Sequence, residues 1–240
     1  VFFARDRRPD DPDVQAGKPF RGLNRWPDIP GFRETVLAYH AAMEGLALAL
    51  VPLIATSLGL PRDFLDPAFR PSEYTLRMSH YPPVEAYGEN EFGSAPHTDS
   101  SLFTLLAQSP VPGLEIRMRD GTWLPAPVVP ESFLVNSGDM LRRWTNHRYL
   151  STPHRVRNLS GLDRYAIPFF FDTNLDYVIE CLPTCQGPGN PPRYAPTTSA
   201  EYSTWFSRRN YDHRRKEGVE AGLAPGASVA TSPGDDAPAP

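Results

Sequence analysis

Pro96-His97-Thr98-Asp99-Ser100-Ser101-Leu102-Phe103-Thr104-Leu105-Leu106 puts an imidazole and a carboxylate two residues apart, directly before an apolar, β-prone run. On a strand, residues i and i+2 point to one face, so His97 and Asp99 can converge on a single ion. The same strand-like texture extends in both directions. Tyr74-Thr75-Leu76-Arg77-Met78 and Leu114-Glu115-Ile116-Arg117-Met118 alternate, and Asp120-Gly121 offers a tight hairpin turn before Thr122-Trp123-Leu124. Phe133-Leu134-Val135 runs into Asn136-Ser137-Gly138-Asp139, read as another turn, and Tyr165 to Phe171 is an apolar strand expected to be buried on both faces. Short strands at this spacing predict a sandwich or barrel.

Helices flank this region. Val36, Tyr39, Met43, Leu46, Leu50, Leu53 and Ile54 recur at steps of three and four, which predicts a helix from Phe32 to Leu58 with these residues as its buried face. Pro52 should kink or divide it, and Gly59 followed by Pro61 should stop it. A last helix is expected from Glu201 to about Lys216. Residues 1–31 read as an extended arm, 32–217 as the main domain, and 218–240 as a disordered Ala/Gly/Pro/Ser tail. The fold class is thus mainly β with flanking α-helices.

Composition narrows the function. With 24 basic and 28 acidic residues the net charge is −4, which gives no electrostatic case for nucleic acid or an anionic membrane. The 28 prolines argue against a helical bundle. Cys181 and Cys185 are too few for a disulfide framework and read as thiols in a reducing cytosol. The apolar stretch from Leu46 to Ala55 is about half of a membrane span, and no basic-then-apolar signal peptide opens the chain. The expectation is a soluble, cytoplasmic protein.

Of six histidines, His154 is the better third ligand, because it opens a strand-like segment after Ser151-Thr152-Pro153; His147, in a turn, is expected to face solvent. Two histidines and one aspartate leave three coordination positions open, which favours iron(II) and oxygen chemistry. Alone, a His-x-Asp pair is a weak signal that more often belongs to a capped turn. Its company adds weight. Arg164 enters the apolar run Tyr165-Ala166-Ile167-Pro168-Phe169-Phe170-Phe171, where it either snorkels to water at an edge or forks onto the carboxylate of a small acid.

Together these segments resemble the isopenicillin N synthase-like group of iron(II)/2-oxoglutarate-dependent oxygenases. The resemblance runs through Leu76-Arg77-Met78-Ser79-His80-Tyr81-Pro82-Pro83, the 96–106 stretch, Pro112-Gly113-Leu114-Glu115-Ile116, Asn136-Ser137-Gly138-Asp139-Met140-Leu141, Trp144-Thr145-Asn146 and Ser151-Thr152-Pro153-His154-Arg155-Val156, and closes on the Arg164 strand. Asn24-Arg25-Trp26-Pro27 and Cys181-Leu182-Pro183-Thr184-Cys185 also match, so that roughly residues 20 to 210 are covered. The resemblance implies a double-stranded β-helix (jelly-roll) barrel in which His97, Asp99 and His154 bind Fe(2+). It further implies that Arg164 and Tyr81 hold the cosubstrate 2-oxoglutarate, and that O2 and a small molecule are the other reactants. The implied reaction is hydroxylation or desaturation, with 2-oxoglutarate decarboxylated to succinate.

Two departures stand out. The family usually has serine two residues after the arginine, where this chain has Ala166. Family members also carry several dozen more residues ahead of the Asn-x-Trp-Pro region, so a missing first strand and an exposed sheet edge are expected. Alternative readings are a same-fold oxidase that gives Arg164 to its own substrate, and a truncated, non-catalytic small-molecule binder. Phe103, Trp144, Phe169 and Phe171 could wall an apolar pocket, but read mostly as core.

Overall fold

The computed structural model describes residues 1–210; the expected tail over 218–240, and the expected last helix beyond residue 210, lie outside the described residues. A larger sheet runs in the order β1 (Phe2–Ala4), β2 (Glu73–Arg77), β10 (Arg164–Asp172), β5 (Phe103–Gln108), β8 (Leu134–Ser137), with β3 (Ser79–Tyr81) continuing beside β10. A smaller sheet is ordered β4 (Ser94–His97), β9 (His154–Val156), β6 (Leu114–Arg117), β7 (Trp123–Pro125). A short ribbon joins β11 (Val178–Ile179) to β12 (Thr197–Thr198). The hairpin expected at Asp120-Gly121 forms, with Gly121 at φ 86° and Arg117 paired to Trp123.

Period-two alternation gives the larger sheet two different faces. On one, Phe103, Leu105, Phe169, Phe171, Tyr74 and Leu76 are buried with α2 (Phe32–Ser57) in a single core. Burying each phenylalanine there contributes about 1.5–3 kcal/mol. The other face carries Thr104, Leu106, Arg164, Ala166, Pro168 and Phe170, and with residues of the smaller sheet it lines a cavity. The four aromatics Phe103, Trp144, Phe169 and Phe171 all sit in the core, as read from sequence. The expectation that Tyr165–Phe171 is buried throughout needs correction, since Tyr165 is 52% exposed and Phe170 faces the cavity.

The helix over 32–57 forms, but its buried face is Val36, His40, Met43, Ala47, Val51 and Ala55; Leu46 and Leu53 are exposed. Small alanines let the helix lie close against the sheet, whereas the bulk-weighted stripe places leucines there that would hold it away. Pro52 sits inside one undivided helix. The carbonyl it leaves without an N–H partner belongs to Leu48, an exposed residue, so water can serve it. The predicted stop is a Schellman turn: Gly59 at φ 73°, Leu60 N–H on Ala55 O and Gly59 N–H on Thr56 O. The apolar character also reaches further than the Leu46–Ala55 run, because α2 is long and apolar enough by length and composition to cross a membrane.

The N-terminal arm is more structured than expected. Its first residues form β1 along the outer edge of β2, and α1 (Pro12–Gln15) follows behind an Asp11 cap. Ion pairs fasten it: Arg5 to Glu44, Arg7 to Glu73, and buried Arg21 to Asp13 and Asp176.

Candidate metal centre and its cavity

β4 and β9 pair antiparallel so that His97 lies directly opposite His154, with ring centroids 4.3 Å apart. Asp99 is not on the strand, contrary to the i, i+2 expectation: β4 ends at His97, and the carboxylate arrives from the loop beyond. That loop is clamped by the start of α3 (Asp139–Trp144). Gly138 N–H donates to Leu102 O at 2.9 Å, Asp139 N–H to Asp99 O at 2.7 Å, and Met140 N–H to Ser101 O at 3.3 Å. The segment 136–139, read as a turn, is thus the end of β8, a helix cap and the first residue of α3. A Cβ on Gly138 would overlap the Ser101 carbonyl oxygen and stand 2.9 Å from Asp99 O, so only glycine fits this close approach.

The three side chains meet. Asp99 is 5% exposed, and its Oδ2 accepts hydrogen bonds from Thr104 Oγ1 at 2.6 Å and Asn136 Nδ2 at 2.8 Å. Its Oδ1 is left turned to the histidines, 3.9 Å from His97 Nε2 and 3.6 Å from His154 Nε2. One ligand atom from each of the three residues lies within 4.8 Å of the others. Both rings are oriented from behind, His97 Nδ1 at 2.7 Å from Ala95 O and His154 Nδ1 at 3.2 Å from Thr152 O. A carbonyl can only accept, so each Nδ1 carries the proton and each Nε2 presents a lone pair, the tautomer a metal needs. Burial lowers the pKa of His97, which favours the neutral, ligating form of the ring.

Across the cavity, Arg164 is fully buried rather than snorkelling. Nη2 donates to Gln108 Oε1 at 3.0 Å, while among the described residues Nε and Nη1 have no partner. Tyr81 stands opposite Arg164 in the β3–β10 pairing, and the guanidinium carbon lies 5.3 Å from its ring. Burial lowers the Arg164 pKa, yet a guanidinium stays charged in any protein. A buried cation with two idle nitrogens, on a residue that lines a cavity, is costly until an anion joins it. Ala166, beside it on the same face, offers no hydroxyl.

Sequence reasoning singled out all five residues, and the structure brings His97, Asp99, His154, Arg164 and Tyr81 to one cavity. It missed those that hold them: Thr104, hidden in an apolar strand; Asn136 and Gly138, taken for a turn; and Gln108. His147 lies away from the cavity, partly covered, with Nε2 2.6 Å from Tyr194 Oη. Cys181 and Cys185 are free thiols.

Two neutral imidazoles and a carboxylate on one wall, with an anion-seeking arginine on the other, define a facial-triad site of the non-haem iron(II) type. Comparisons with known proteins agree. Residues 72–173 match the 2OG-Fe(II) oxygenase superfamily. The 2-oxoglutarate-Fe(II) type oxidoreductase hxnY of Emericella nidulans is 37% identical over 88% of this chain and 62% of its own length. A 2OG-Fe(II) oxygenase family protein from Caulobacter crescentus superposes with TM-score 0.77 at 33% identity, over 87% of this chain and 68% of that one. A full-length Neurospora crassa protein, solved in complex with alpha-KG, gives TM-score 0.75 at 25% identity, over 87% and 65%. The chain belongs to the 2OG-Fe(II) oxygenase superfamily. It spans roughly two thirds of the length of these relatives.

Proposed function

We propose that this chain carries the active site of an iron(II)- and 2-oxoglutarate-dependent oxygenase that hydroxylates or desaturates a small molecule. In this reading the two sheets close as a double-stranded β-helix, His97, Asp99 and His154 hold iron(II), and Arg164 with Tyr81 receives the distal carboxylate of 2-oxoglutarate. The observation that carries it is the buried guanidinium of Arg164, with two nitrogens unpartnered among the described residues, on the same cavity as the three candidate ligands. Bound iron would supply redox chemistry and a template for cosubstrate and O2, with 2-oxoglutarate oxidised to succinate and CO2. The chain's own residues do the positioning. Thr104 and Asn136 fix which Asp99 oxygen faces the metal, two backbone carbonyls fix the imidazole tautomers, and the apolar walls Leu106, Leu114, Val156 and Ala166 exclude water from the acid's chain.

Ala166 keeps a second reading in play, in which Arg164 takes the carboxylate of an oxidised substrate and no 2-oxoglutarate is used. Anaerobic titration of the iron(II)-loaded protein with 2-oxoglutarate, followed by a succinate assay on admission of O2, separates the two. Saturable binding that Arg164→Met abolishes, with succinate formed, supports the oxygenase. Iron binding with no 2-oxoglutarate affinity and no succinate overturns it.

A further inference from the structure

A second arginine lines the cavity and has no part in the function proposed above. Arg77 ends β2, and the register of β2 and β3 against β10 is continuous, since Leu76 faces Phe169 and Ser79 faces Ala166. Arg77 therefore lies across from Pro168, while Tyr81 lies across from Arg164. Four strand residues separate these rungs, about 13 Å. Both arginines line the one cavity, at different points along its length.

Their surroundings differ in a telling way. Arg164 is enclosed and bonded to Gln108. Arg77 is partly exposed; among the described residues no carboxylate comes within ion-pair distance of it, and its guanidinium rests on the face of Phe2 at 5.3 Å. Arg77 lines the same cavity as His97, Asp99 and His154. The wall beside it is Pro168 and Phe170, apolar and aromatic. A cation without a carboxylate, an apolar wall and three candidate metal ligands on the same cavity suit an anion whose body packs on Phe170 and whose head meets the guanidinium. A single arginine matches the bidentate geometry of a carboxylate, and among the described residues no lysine lines the cavity to share the second charge of a phosphate.

We propose that Arg77 is the specificity-determining residue for the primary substrate, and that this substrate is a carboxylate with an apolar ring body. This rests on the assignment of Arg164 to 2-oxoglutarate, which leaves Arg77 free for the other reactant.

The test is binding, measured calorimetrically on anaerobic iron(II)-loaded protein with 2-oxoglutarate saturating, so that Arg164 is occupied. The probes are 3-phenylpropanoate, indole-3-propanoate and cyclohexylacetate, each beside its primary amide. The wild type should prefer at least one carboxylate to its amide by about tenfold or more, the discrimination expected of a charge-assisted hydrogen bond. Arg77→Met should abolish that preference and Arg77→Lys keep part of it, with 2-oxoglutarate affinity unchanged in both as the control for folding. No preference for any of the carboxylates, or a preference that survives Arg77→Met, overturns the proposal while 2-oxoglutarate still binds. A wild type that fails to bind 2-oxoglutarate, yet prefers carboxylates through Arg77 and not through Arg164, would sink the oxygenase reading and leave the role of Arg77 supported.

Discussion

Arg164 Nη2 donates to Gln108 Oε1 at 3.0 Å, and Gln108 sits directly across the β5–β10 pair from Ala166. An amide on the neighbouring strand thus steadies the guanidinium at the point where residue 166 has no hydroxyl to offer. Two substitutions follow from this arrangement. Ala166→Ser adds a donor beside the idle Arg164 nitrogens, and a hydrogen bond to a charged group contributes about 1.5–3 kcal/mol. It should tighten 2-oxoglutarate binding about tenfold. Gln108→Leu should weaken it, because the guanidinium then loses its fixed orientation. Calorimetric dissociation constants decide both. An unchanged constant in Ala166→Ser would show that the cosubstrate carboxylate does not lie beside residue 166.

The second prediction concerns how Asp99 is held. Thr104 and Asn136 both bond to Oδ2, from adjacent strands, and so commit Oδ1 to the histidines. Groups of this kind typically alter metal affinity by about 10–100-fold. Thr104→Val and Asn136→Ala should each lower iron(II) or zinc(II) affinity by that order, with the far-ultraviolet circular dichroism unchanged. Wild-type affinity in both variants would mean that the loop backbone alone orients the carboxylate.

These holding residues mark the boundary of what the sequence made legible. Strands with local alternation, such as Glu73–Arg77, and the hairpin at Asp120-Gly121 follow from side-chain period and turn chemistry, which neighbouring residues determine. The candidate ligands were legible because few residue types bind metals, and the spacing of His97 and Asp99 restricted the choice further. Arg164 was legible only as two alternatives, snorkelling at an edge or burial against an anion, and the structure buries it. What failed to show depends on distant partners. Nothing near Asn136 says that it reaches Asp99, and the face of α2 is decided by how closely a sheet lets a helix approach, so Ala47 and Ala55 displace Leu46 and Leu53. Asp99 works from a loop because α3, forty residues on, supplies the N–H groups that fix it.

Gly138 makes that last dependence testable. Three consecutive N–H groups from Gly138 to Met140 hold the carbonyls of Asp99, Ser101 and Leu102, and a side chain at 138 would collide with the first and second of these. Gly138→Ala must push the loop away from α3 and carry Asp99 with it. The expected result is loss of most metal affinity together with destabilisation of about 2–4 kcal/mol, the range of severe backbone and packing clashes. Metal titration and urea unfolding report the two effects separately. A stable variant with intact metal binding would refute the clamp.

A pH effect follows from Asp172, which faces Glu73 across β10 and β2 and accepts a hydrogen bond from Leu102 N–H at 2.9 Å. Burial pushes its pKa up from 3.8 to about 7; the Leu102 bond opposes this, and the charges of Glu73 and Asp99 add to it. A carboxyl whose pKa is raised by folding binds its proton more tightly in the folded state. Its contribution to stability is therefore full below the unfolded value of 3.8 and is lost as pH climbs through about 7, leaving a net cost at higher pH. Asp172→Asn keeps the shape and the acceptor for Leu102 but carries no charge. Each pKa unit corresponds to about 1.4 kcal/mol, and because Glu73 and Asp99 relax alongside, a gain of about 1–3 kcal/mol is expected for the metal-free variant at pH 8. The gain should shrink steadily on acidification and vanish near pH 4, where the wild-type carboxyl is already protonated. Urea midpoints of both proteins across this range settle the matter, and a difference that does not vary with pH would mean that Asp172 reaches solvent and titrates as an ordinary surface acid.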